Sequence, residues 1–479
     1  MDLGGQRDRD AEELSRLGYA QQLLRDLGGF SNFALSFSVV SVLTGAVTLY
    51  KHGLEYGGPA TMGLGWPLVS AGTMLVALSM AELASAFPTA GSLYHWAMFL
   101  GDARYGFATA WFNLVGQFAI TAGIDYGCAE FIVAFLDTPP AAVAPVYALL
   151  LLSHALLNHF GVRLVSRLND LSAWLHVIGV AVLVVALFAF GRAQPLSYAF
   201  HFDTTHEGGP RPGLFLVALL QGFWTFTGYD ASAHVAEETR DPARKAPQGI
   251  LMAVIVSIVV GYLLVVGLAL AMKDYRLAAN DPTPPLYIVR QAFGDGIGRA
   301  VMSLAIAAMW FCGLASVTAN SRMIYAFARD DGLPFSAALK KVSPRFRTPA
   351  LAIWVATGVA LVLALAAKLA SDSAYTVVTS LSTVALYLSY GVPIFLGAVA
   401  RHTGRWNRFG PFTLGRAGKW VGLAATLWLA FAAVLCGLPP NAMTGLAMLG
   451  VVAVVTALAL RRPKILAGLP VVVTRLEPQ

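Results

Sequence analysis

The sequence predicts an all-α integral membrane protein, on three observations: its composition, the spacing of its apolar runs and the distribution of Lys and Arg. Of the 479 residues, 57% are hydrophobic and only 12% are charged. A soluble domain of ordinary composition carries about 25% charged residues. The composition therefore excludes a water-soluble enzyme and predicts a chain that crosses a lipid bilayer several times.

Twelve apolar runs are long enough to cross a bilayer, which takes roughly 20 apolar residues in a helix. We number them spans 1 to 12, and they cover residues 30–50, 62–86, 107–136, 142–160, 168–190, 213–237, 249–271, 299–327, 350–369, 374–397, 419–437 and 442–460. Spans 3 and 8 are longer than a bilayer is thick, so we expect these helices to tilt or to protrude.

Lys and Arg indicate the orientation of these spans. With the N-terminus in the cytoplasm, 24 of the 33 Lys and Arg residues fall in cytoplasmic segments and 8 in outer segments, while Arg322 falls inside a span. Cytoplasmic loops of membrane proteins carry such an excess. The bias supports the count of twelve and predicts cytoplasmic tails at 1–29 and 461–479. We expect the protein to lie in the plasma membrane. The first thirty residues show no secretory signal pattern.

Several functions are excluded by what the chain lacks. Cys128, Cys312 and Cys436 lie singly in apolar segments, which favours neither a disulfide framework nor a zinc site. No HExxH, GxSxG or phosphate-cradling motif is placed to do chemistry. The net charge of +7 resides mainly in the cytoplasmic loops, so it does not indicate a nucleic-acid partner. We expect no enzyme activity, no cofactor and no bound metal; the expected partners are the bilayer and a small molecule.

Two spans are interrupted at corresponding places. Span 1, FSNFALSFSVVSVLTGAVTLY, contains Ser36, Ser38, Ser41, Thr44 and Gly45, and span 6 contains GFWTFTGYD at 222–230. Such interruptions, five spans apart, indicate inverted repeats with broken helices at a substrate site. The alternative is helix packing, because Ser and Thr often bond their own backbone and Gly lets helices approach closely.

A broken helix can bind a zwitterion. Each half-helix exposes free N–H groups at its new N-terminus and free C=O groups at its new C-terminus. The N–H end attracts a carboxylate and the C=O end an ammonium group, and an α-amino acid carries both. We expect Gly45 and Gly228 to let the backbone leave the helix and a ligand come close.

Seven motifs together resemble the amino acid–polyamine–organocation superfamily, in particular its amino acid/choline transporter branch. The motifs are LGYAQQL at 17–23, FSNFALSFSVVSVLTG at 30–45, GGPATMGLGWP at 57–67, ALSMAELASAFPTAGSLYHW at 77–96, WFNLVGQFAITAGIDYG at 111–127, FTGYDASAHVAEET at 226–239 and NSRMIYAFARDDGLP at 320–334. The resemblance implies a LeuT-like fold of twelve transmembrane helices. Its two inverted repeats of five would cover 30–190 and 213–397, with helices 11 and 12 appended at 419–460.

The resemblance also implies the transport of amino acids or related amines, and it suggests a substrate site. The substrate carboxylate would lie near the amides around Thr44 and Gly45. Its ammonium group would lie near the carbonyls around Ser38 and Val39 and those of residues 223–226, with Trp224 as an aromatic gate. The full set of substrate-binding candidates is Ser38, Val39, Ser41, Thr44, Gly45, Phe223, Trp224, Phe226, Thr227 and Gly228.

Acidic residues near the breaks and span ends are the gating candidates. Asp230 follows the break in span 6, where we expect it to cap free N–H groups of the second half-helix and to take part in gating. Glu82 ends span 2, and Glu237 and Glu238 end span 6. We expect them to form an inner gate of ion pairs with Arg322 and Arg329; as isolated surface charges they would contribute little.

Two ions remain possible as the driving force. Sodium-coupled LeuT-like carriers use hydroxyls on the eighth helix, where this chain has Ser316 and Thr318. In the cationic amino acid transporter branch, a Lys occupies the position of His176. Because an imidazole titrates near neutral pH, we expect His176 to couple transport to protons, with sodium as the alternative. Asp125, inside span 3, is a second coupling candidate. We expect His154, in span 4, to have a structural role in helix packing.

The predicted function is thus proton-coupled import of an amino acid or a similar zwitterion, such as γ-aminobutyrate. Transport of choline or a polyamine, amino acid exchange, and a receptor that does not transport are the alternatives. The aromatic residues around Trp224 would suit a quaternary amine, but the break in span 1 favours a carboxylate. Short tails argue against a receptor. The sequence indicates no oligomeric state.

Overall fold

The computed structural model describes residues 3–370, 374–438 and 442–461, and within them the regular structure is helical. The tail predicted at 461–479 lies outside the described residues from 462 onward. Ten of the described helices are long and apolar enough to cross a membrane, and two shorter apolar helices cover Pro212–Thr225 and Met443–Leu458. Their places in the chain match the twelve predicted spans.

The helices are numbered along the chain. They are α1 (Leu3–Arg16), α2 (Gly29–Val40), α3 (Val42–Thr48), α4 (Tyr50–Gly57), α5 (Trp66–Ala86), α6 (Leu93–Leu100), α7 (Ala103–Phe135), α8 (Val143–Phe160), α9 (Val162–Ala186), α10 (Pro212–Ala218), α11 (Leu220–Thr225), α12 (Ala231–His234), α13 (Pro242–Ala271), α14 (Tyr275–Asn280), α15 (Pro284–Phe293), α16 (Asp295–Arg329), α17 (Ser336–Leu339), α18 (Ala350–Ala370), α19 (Ala374–His402), α20 (Gly418–Gly437) and α21 (Ala442–Arg461).

Spans 1 and 6 are each divided into separate helices, as the sequence predicts. Span 1 consists of α2 and α3, and span 6 of α10, α11 and the short α12. Span 1 is also the most enclosed of the ten long segments, since 83% of its most apolar stretch is buried against 22% for the segment that contains α8. Span 1 therefore lies inside the bundle, as do α11 and α12, whose residues are all buried, and α8 lies at its edge.

The bundle is assembled around α7, α13, α16 and α19. Helix α19 packs along α7 and α20, and α13 packs along α2 and α5. Helix α16 contacts α2, α3, α7 and α8. The side chains that point away from the bundle on α8 and α9, among them Leu149 and Val182, are large and apolar, which suits contact with lipid.

The predicted N-terminal tail packs against one end of this bundle. Residues 17–28, which we call the N-terminal strap, run beside the chain that follows α12. The Leu27 amide donates to the Glu238 carbonyl at 2.9 Å, and the Arg240 amide donates to the Leu27 carbonyl at 3.0 Å. We call this end of the bundle the N-terminal face.

Candidate substrate and coupling site

Span 1 breaks at a single residue, Ser41. Its φ of 31° lies in the left-handed region, which non-glycine residues seldom adopt. Its carbonyl accepts from the amides of Thr44 at 2.8 Å and Gly45 at 2.9 Å, and its Oγ accepts from the Thr44 amide at 3.2 Å. The amides of Thr44 and Gly45 are thus bonded to Ser41 in this conformation, and the carboxylate site around them stays a prediction. The first-turn amides of α3 belong to Val42 and Leu43.

Gly45 does not turn the backbone, contrary to the prediction. A Cβ added to it would lie 2.7 Å from Cα of Thr225, so the missing side chain lets α3 touch α11. The contact is completed by Gln221, whose Nε2 donates to the Ala46 carbonyl at 3.0 Å. Gly45 therefore serves helix packing, which was the alternative reading of this residue.

The end of α2 is also engaged by its neighbours. The Ser38 hydroxyl donates to Ser172 Oγ on α9 at 2.8 Å, and the Cys312 thiol on α16 donates to the Val39 carbonyl at 3.2 Å. The Val39 carbonyl, which we expected to face an ammonium group, is therefore occupied by a thiol in this conformation.

Span 6 breaks over five residues, 226–230. Gly228 has a φ of 84°, and a Cβ added to it would overlap Cγ1 of Val39. The prediction for Gly228 is confirmed in its first part: this residue turns the backbone as only glycine readily can. Its amide donates to the Tyr390 hydroxyl oxygen on α19 at 3.2 Å.

The carbonyls before this break have partners inside the protein. The Tyr387 hydroxyl donates to the Phe223 carbonyl at 3.0 Å, and the Thr227 hydroxyl donates to the Trp224 carbonyl at 2.7 Å. Two of the carbonyls expected to meet an ammonium group are thus satisfied here. Tyr387 and its neighbours on α19 carried no sequence signal that pointed to the break.

The aromatic side chains of the break are buried. The Trp224 ring is 3% exposed, and a Cβ added to Gly123 on α7 would come within 3.1 Å of it. The Phe226 ring packs on Trp66 at 4.9 Å between centroids. Trp224 thus fills the space between α11 and α7, while its role as a gate stays a prediction.

Asp230 precedes α12, but its side chain makes no cap hydrogen bond. The capping prediction is therefore wrong. The carboxylate instead accepts from the Tyr390 hydroxyl at 2.7 Å and from the side-chain amides of Gln117 and Asn113 at 3.4 and 3.5 Å, and it pairs with His234 Nε2 at 3.1 Å. Asp230 thereby joins the broken segment to α7 and α19 and also contacts the end of α12 through His234.

His176 on α9 contacts the break in span 1 directly. Its Nδ1 lies 2.8 Å from the Ser172 carbonyl, which can only accept, so Nδ1 carries the hydrogen. Its Nε2 then accepts from Ser41 Oγ at 2.8 Å. Ser41 Oγ in turn lies 2.6 Å from Thr44 Oγ1. The protonation state of His176 therefore decides which way the Ser41 hydroxyl points at the break.

The structure separates the two hydroxyls of the sodium alternative. Ser316 Oγ lies 2.7 Å from Thr121 Oγ1 on α7, whereas the Thr318 hydroxyl donates to Asn158 Oδ1 on α8 at 2.7 Å. Residues two apart on a helix do not face each other, so the pair does not form one site. Among the described residues, no group of three or more His, Cys, Asp and Glu side chains is arranged to hold a metal ion.

Asp125 meets a residue that the sequence analysis treated as packing. His154 Nδ1 on α8 lies 3.2 Å from Asp125 Oδ2, and both side chains are fully buried. The reading of His154 as a packing residue is therefore incomplete.

Ion pairs close the N-terminal face. Arg329 makes two hydrogen bonds to Glu237 at 2.8 and 2.9 Å, and Arg322 makes two to Glu238 at 2.7 and 3.2 Å. Both pairs join the segment after α12 to the end of α16, as predicted; their role as an inner gate stays a prediction. All four side chains are at most 12% exposed.

Glu82 does not belong to this group, contrary to the prediction. Its carboxylate accepts from Arg401 at 2.6 Å, from the Thr413 hydroxyl at 2.9 Å and from the Leu414 amide at 2.6 Å. Glu82 therefore ties α5 to α19 and the chain before α20, where an Arg distant in sequence is its nearest cation.

The strap locks onto the same face through a buried network that the sequence did not reveal. The hydroxyls of Tyr19 and Tyr94 donate to Asp330 Oδ2 at 3.0 and 2.9 Å, and His95 Nε2 lies 2.9 Å from the same oxygen. Burial is the largest influence on the pKa of His95 and lowers it. Burial also acts to raise the pKa of Asp330, but these hydrogen bonds and the Arg329 charge outweigh it and hold that pKa below its usual value.

Comparison with known proteins identifies the family. Residues 27–458 match the family model described as amino acid permease. The chain is 39% identical to a protein of Oryza sativa subsp. japonica named amino-acid permease BAT1 homolog, over 91% of this chain and 89% of that one. It is 37% identical to amino-acid permease BAT1 of Arabidopsis thaliana, over 92% and 91%, and 30% identical to amino-acid permease 2 of Neurospora crassa, over 89% and 81%. This chain therefore belongs to the amino acid permease family of the amino acid–polyamine–organocation superfamily.

Proposed function

We propose that this multi-pass membrane protein imports an amino acid or a similar zwitterion, such as γ-aminobutyrate, across the plasma membrane. The proton gradient would drive import, and the mechanism would be alternating access. One observation supports this most: the breaks of spans 1 and 6 lie against each other in the centre of the bundle. The Gly228 backbone packs on Val39, and the Ser36 hydroxyl donates to the Tyr229 carbonyl at 2.8 Å.

The substrate would bind between the two breaks. The N-terminus of α3, with the first-turn amides of Val42 and Leu43, would hold the carboxylate. The carbonyl ends of α2 and α11 would hold the ammonium group. The Val39 and Phe223 carbonyls already accept from Cys312 and Tyr387, and each oxygen has a second lone pair for an ammonium group. The substrate would thus share these carbonyls with donors from α16 and α19, which links binding to the positions of those helices.

The N-terminal face would be the cytoplasmic gate. The pairs Glu237–Arg329 and Glu238–Arg322 are buried there, and breaking a buried pair is strongly unfavourable. The gate would therefore stay shut until substrate stabilises the inward-open arrangement. The twelve spans would form two inverted repeats, as the family resemblance implies.

His176 would link this cycle to protons. Protonated at Nε2, it would donate to Ser41 Oγ instead of accepting from it. The Ser41 hydroxyl would then have to turn toward Thr44, and α3 would present a more positive N-terminus to a substrate carboxylate. Proton binding and carboxylate binding would thus favour each other.

The test uses purified protein in liposomes and a panel of labelled amino acids, γ-aminobutyrate and choline. Uptake is compared under an inward proton gradient and an inward sodium gradient. We expect a zwitterion to accumulate with the proton gradient. We expect His176→Gln to abolish that accumulation while substrate still raises the melting temperature, and His159→Gln, a partly exposed histidine on α8, to behave like the wild type.

Three results would contradict the proposal. Accumulation driven by sodium alone would remove the role of His176, and transport of choline alone would overturn the carboxylate site. Binding of an amino acid with no transport under either gradient would indicate a receptor.

A further inference from the structure

The Asp125–His154 pair joins two helices inside the membrane and is not used by the substrate site described above. Asp125 lies on α7 and His154 on α8, and both side chains are 0% exposed. An ionisable residue inside a membrane segment is costly, so it generally marks an ion or proton pathway.

Two atoms of this pair are left without partners among the described residues: Asp125 Oδ1 and His154 Nε2. His154 Nδ1 faces the carboxylate, so it carries the hydrogen of a neutral ring. Nε2 then carries no hydrogen and, like Asp125 Oδ1, is a hydrogen-bond acceptor without a donor among the described residues. Two unpaired acceptors in one buried site, around a carboxylate with no cation, favour the uptake of a proton.

Among the described residues, the basic side chain paired with Asp125 is His154. The Asp125 carboxylate also acts electrostatically on the thiols of Cys128 and Cys312 and on the phenol of Tyr147. These groups already donate to the carbonyls of Ile306, Val39 and Ala360. Tyr126 packs on the Tyr147 ring. His154 is the partner that can take a positive charge.

Helix α16 covers the pair and connects it to the substrate region. A Cβ on Gly313 would overlap Asp125 Oδ1 and come within 2.6 Å of His154 Cε1, so α16 packs directly on both groups. The adjacent Cys312 contacts α2 at Val39. Any shift of α16 against α7 and α8 therefore changes the space around the pair and, at the same time, the break in span 1.

We propose that Asp125 and His154 form a second proton-binding site of the transporter, distinct from His176, that takes up one proton per transport cycle. His154 Nε2 accepts the proton, and the resulting imidazolium neutralises the Asp125 carboxylate, so the net charge of the pair rises from −1 to 0. The proton belongs to the pair as a unit. Movement of α16 exposes the pair and releases the proton. This inference rests on the proposed proton-coupled transport.

The test measures protons and substrate together. Liposomes contain a pH-sensitive dye and labelled substrate is added outside, with the membrane potential held at zero by potassium and valinomycin. We expect Asp125→Asn and His154→Gln each to lower the number of protons that enter per substrate by one. The double variant should lower it by no more than either single change, since one site is removed. Substrate counterflow at equal pH should persist, and His159→Gln is the control.

The double variant also protects the test against misfolding, because the two amides can bond to each other without charge. An unchanged proton-to-substrate ratio in variants that retain counterflow would overturn the second site. A double variant that loses two protons would also overturn it, because the residues would then act separately. Absence of proton-driven uptake in the wild type would instead contradict the proposed function itself.

Discussion

The breaks in spans 1 and 6 differ in length and in the residues that hold them. Span 1 breaks at one residue, Ser41, held in the left-handed region by contacts of its own side chain and of His176. Span 6 breaks over five residues around Gly228, and its contacts come from α7 and α19 through Asp230 and Tyr390. The first break is thus held by one side chain and a single partner on α9, whereas the second is a loop fixed by the surrounding helices.

This difference indicates separate roles in the proposed cycle. A single hydroxyl that can donate to His176 or to Thr44 can respond to one proton. A loop joined to several helices by one buried carboxylate can transmit movement between them. We therefore expect changes at the second break to disturb the whole bundle and changes at the first to act mainly on coupling.

The largest effect should come from Gly228→Ala. An alanine with positive φ costs about 1–2 kcal/mol, and overlap of its methyl group with Val39 adds about 1–3 kcal/mol. We expect a marked fall in melting temperature and loss of uptake. The double change Gly228→Ala/Val39→Ala should recover part of the stability, since it removes the overlap but not the strain. No change in melting temperature would mean that the break does not require glycine.

Asp230→Asn should have the next largest effect. The shape is kept, but hydrogen bonds to a charged group, worth about 1.5–3 kcal/mol, become neutral ones. We expect lower stability and slower uptake with little change in its proton dependence. Tyr390→Phe, which removes one donor, should show the same pattern more weakly. A larger loss in Tyr390→Phe would contradict the central place of the carboxylate.

Ser41→Ala should cost about 1 kcal/mol, the usual contribution of a helix cap. Its main consequence should be functional: without the hydroxyl, His176 loses contact with the break, so the proton gradient should no longer raise accumulation. Ser38→Ala, which removes a hydrogen bond to α9, is the matched control and should retain coupling. Equal loss in both variants would mean that Ser41 is not a switch.

The smallest effect should come from acidification, which should weaken the docking of the N-terminal strap. Burial lowers the pKa of His95 on α6, so below the ordinary value of about 6.5 this histidine binds a proton when the strap is detached but not when the strap is docked. Docking is thus stable at neutral pH and weakens as the pH falls through that range. Hydrogen-exchange protection of residues 17–28, corrected for intrinsic rates, should fall accordingly. In His95→Gln it should not change with pH over this range.

The features predicted correctly from the sequence are those that depend on a single helix and not on its neighbours. Apolar length located the ten helices that are long enough to cross a membrane and the two shorter apolar helices, and Gly228 located the second break. The first break lies at Ser41 rather than at Thr44 and Gly45, because the Ser41 side chain stabilises a conformation that its residue type does not suggest. At Gly45, helix packing was the alternative to a turn of the backbone, and the structure shows packing of α3 against α11.

Partners between helices could not be predicted. Asp230 bonds to Tyr390, 160 residues away, and Asp125 to His154, 29 residues away. Glu82 selects Arg401 over Arg322 and Arg329 because of where α19 packs. The sequence shows which charged side chains need partners, but the packing of the helices determines which partner each one contacts.

The most direct test of a zwitterion site between the two breaks is competition against uptake of the transported amino acid. The competitors are that amino acid unlabelled, its methyl ester, its decarboxylated amine and choline. If α3 holds the carboxylate and the carbonyl ends of α2 and α11 hold the ammonium group, only the intact zwitterion should compete at low concentration. Equal competition by the amine or by choline would contradict the carboxylate site and with it the proposed role of the break at Ser41.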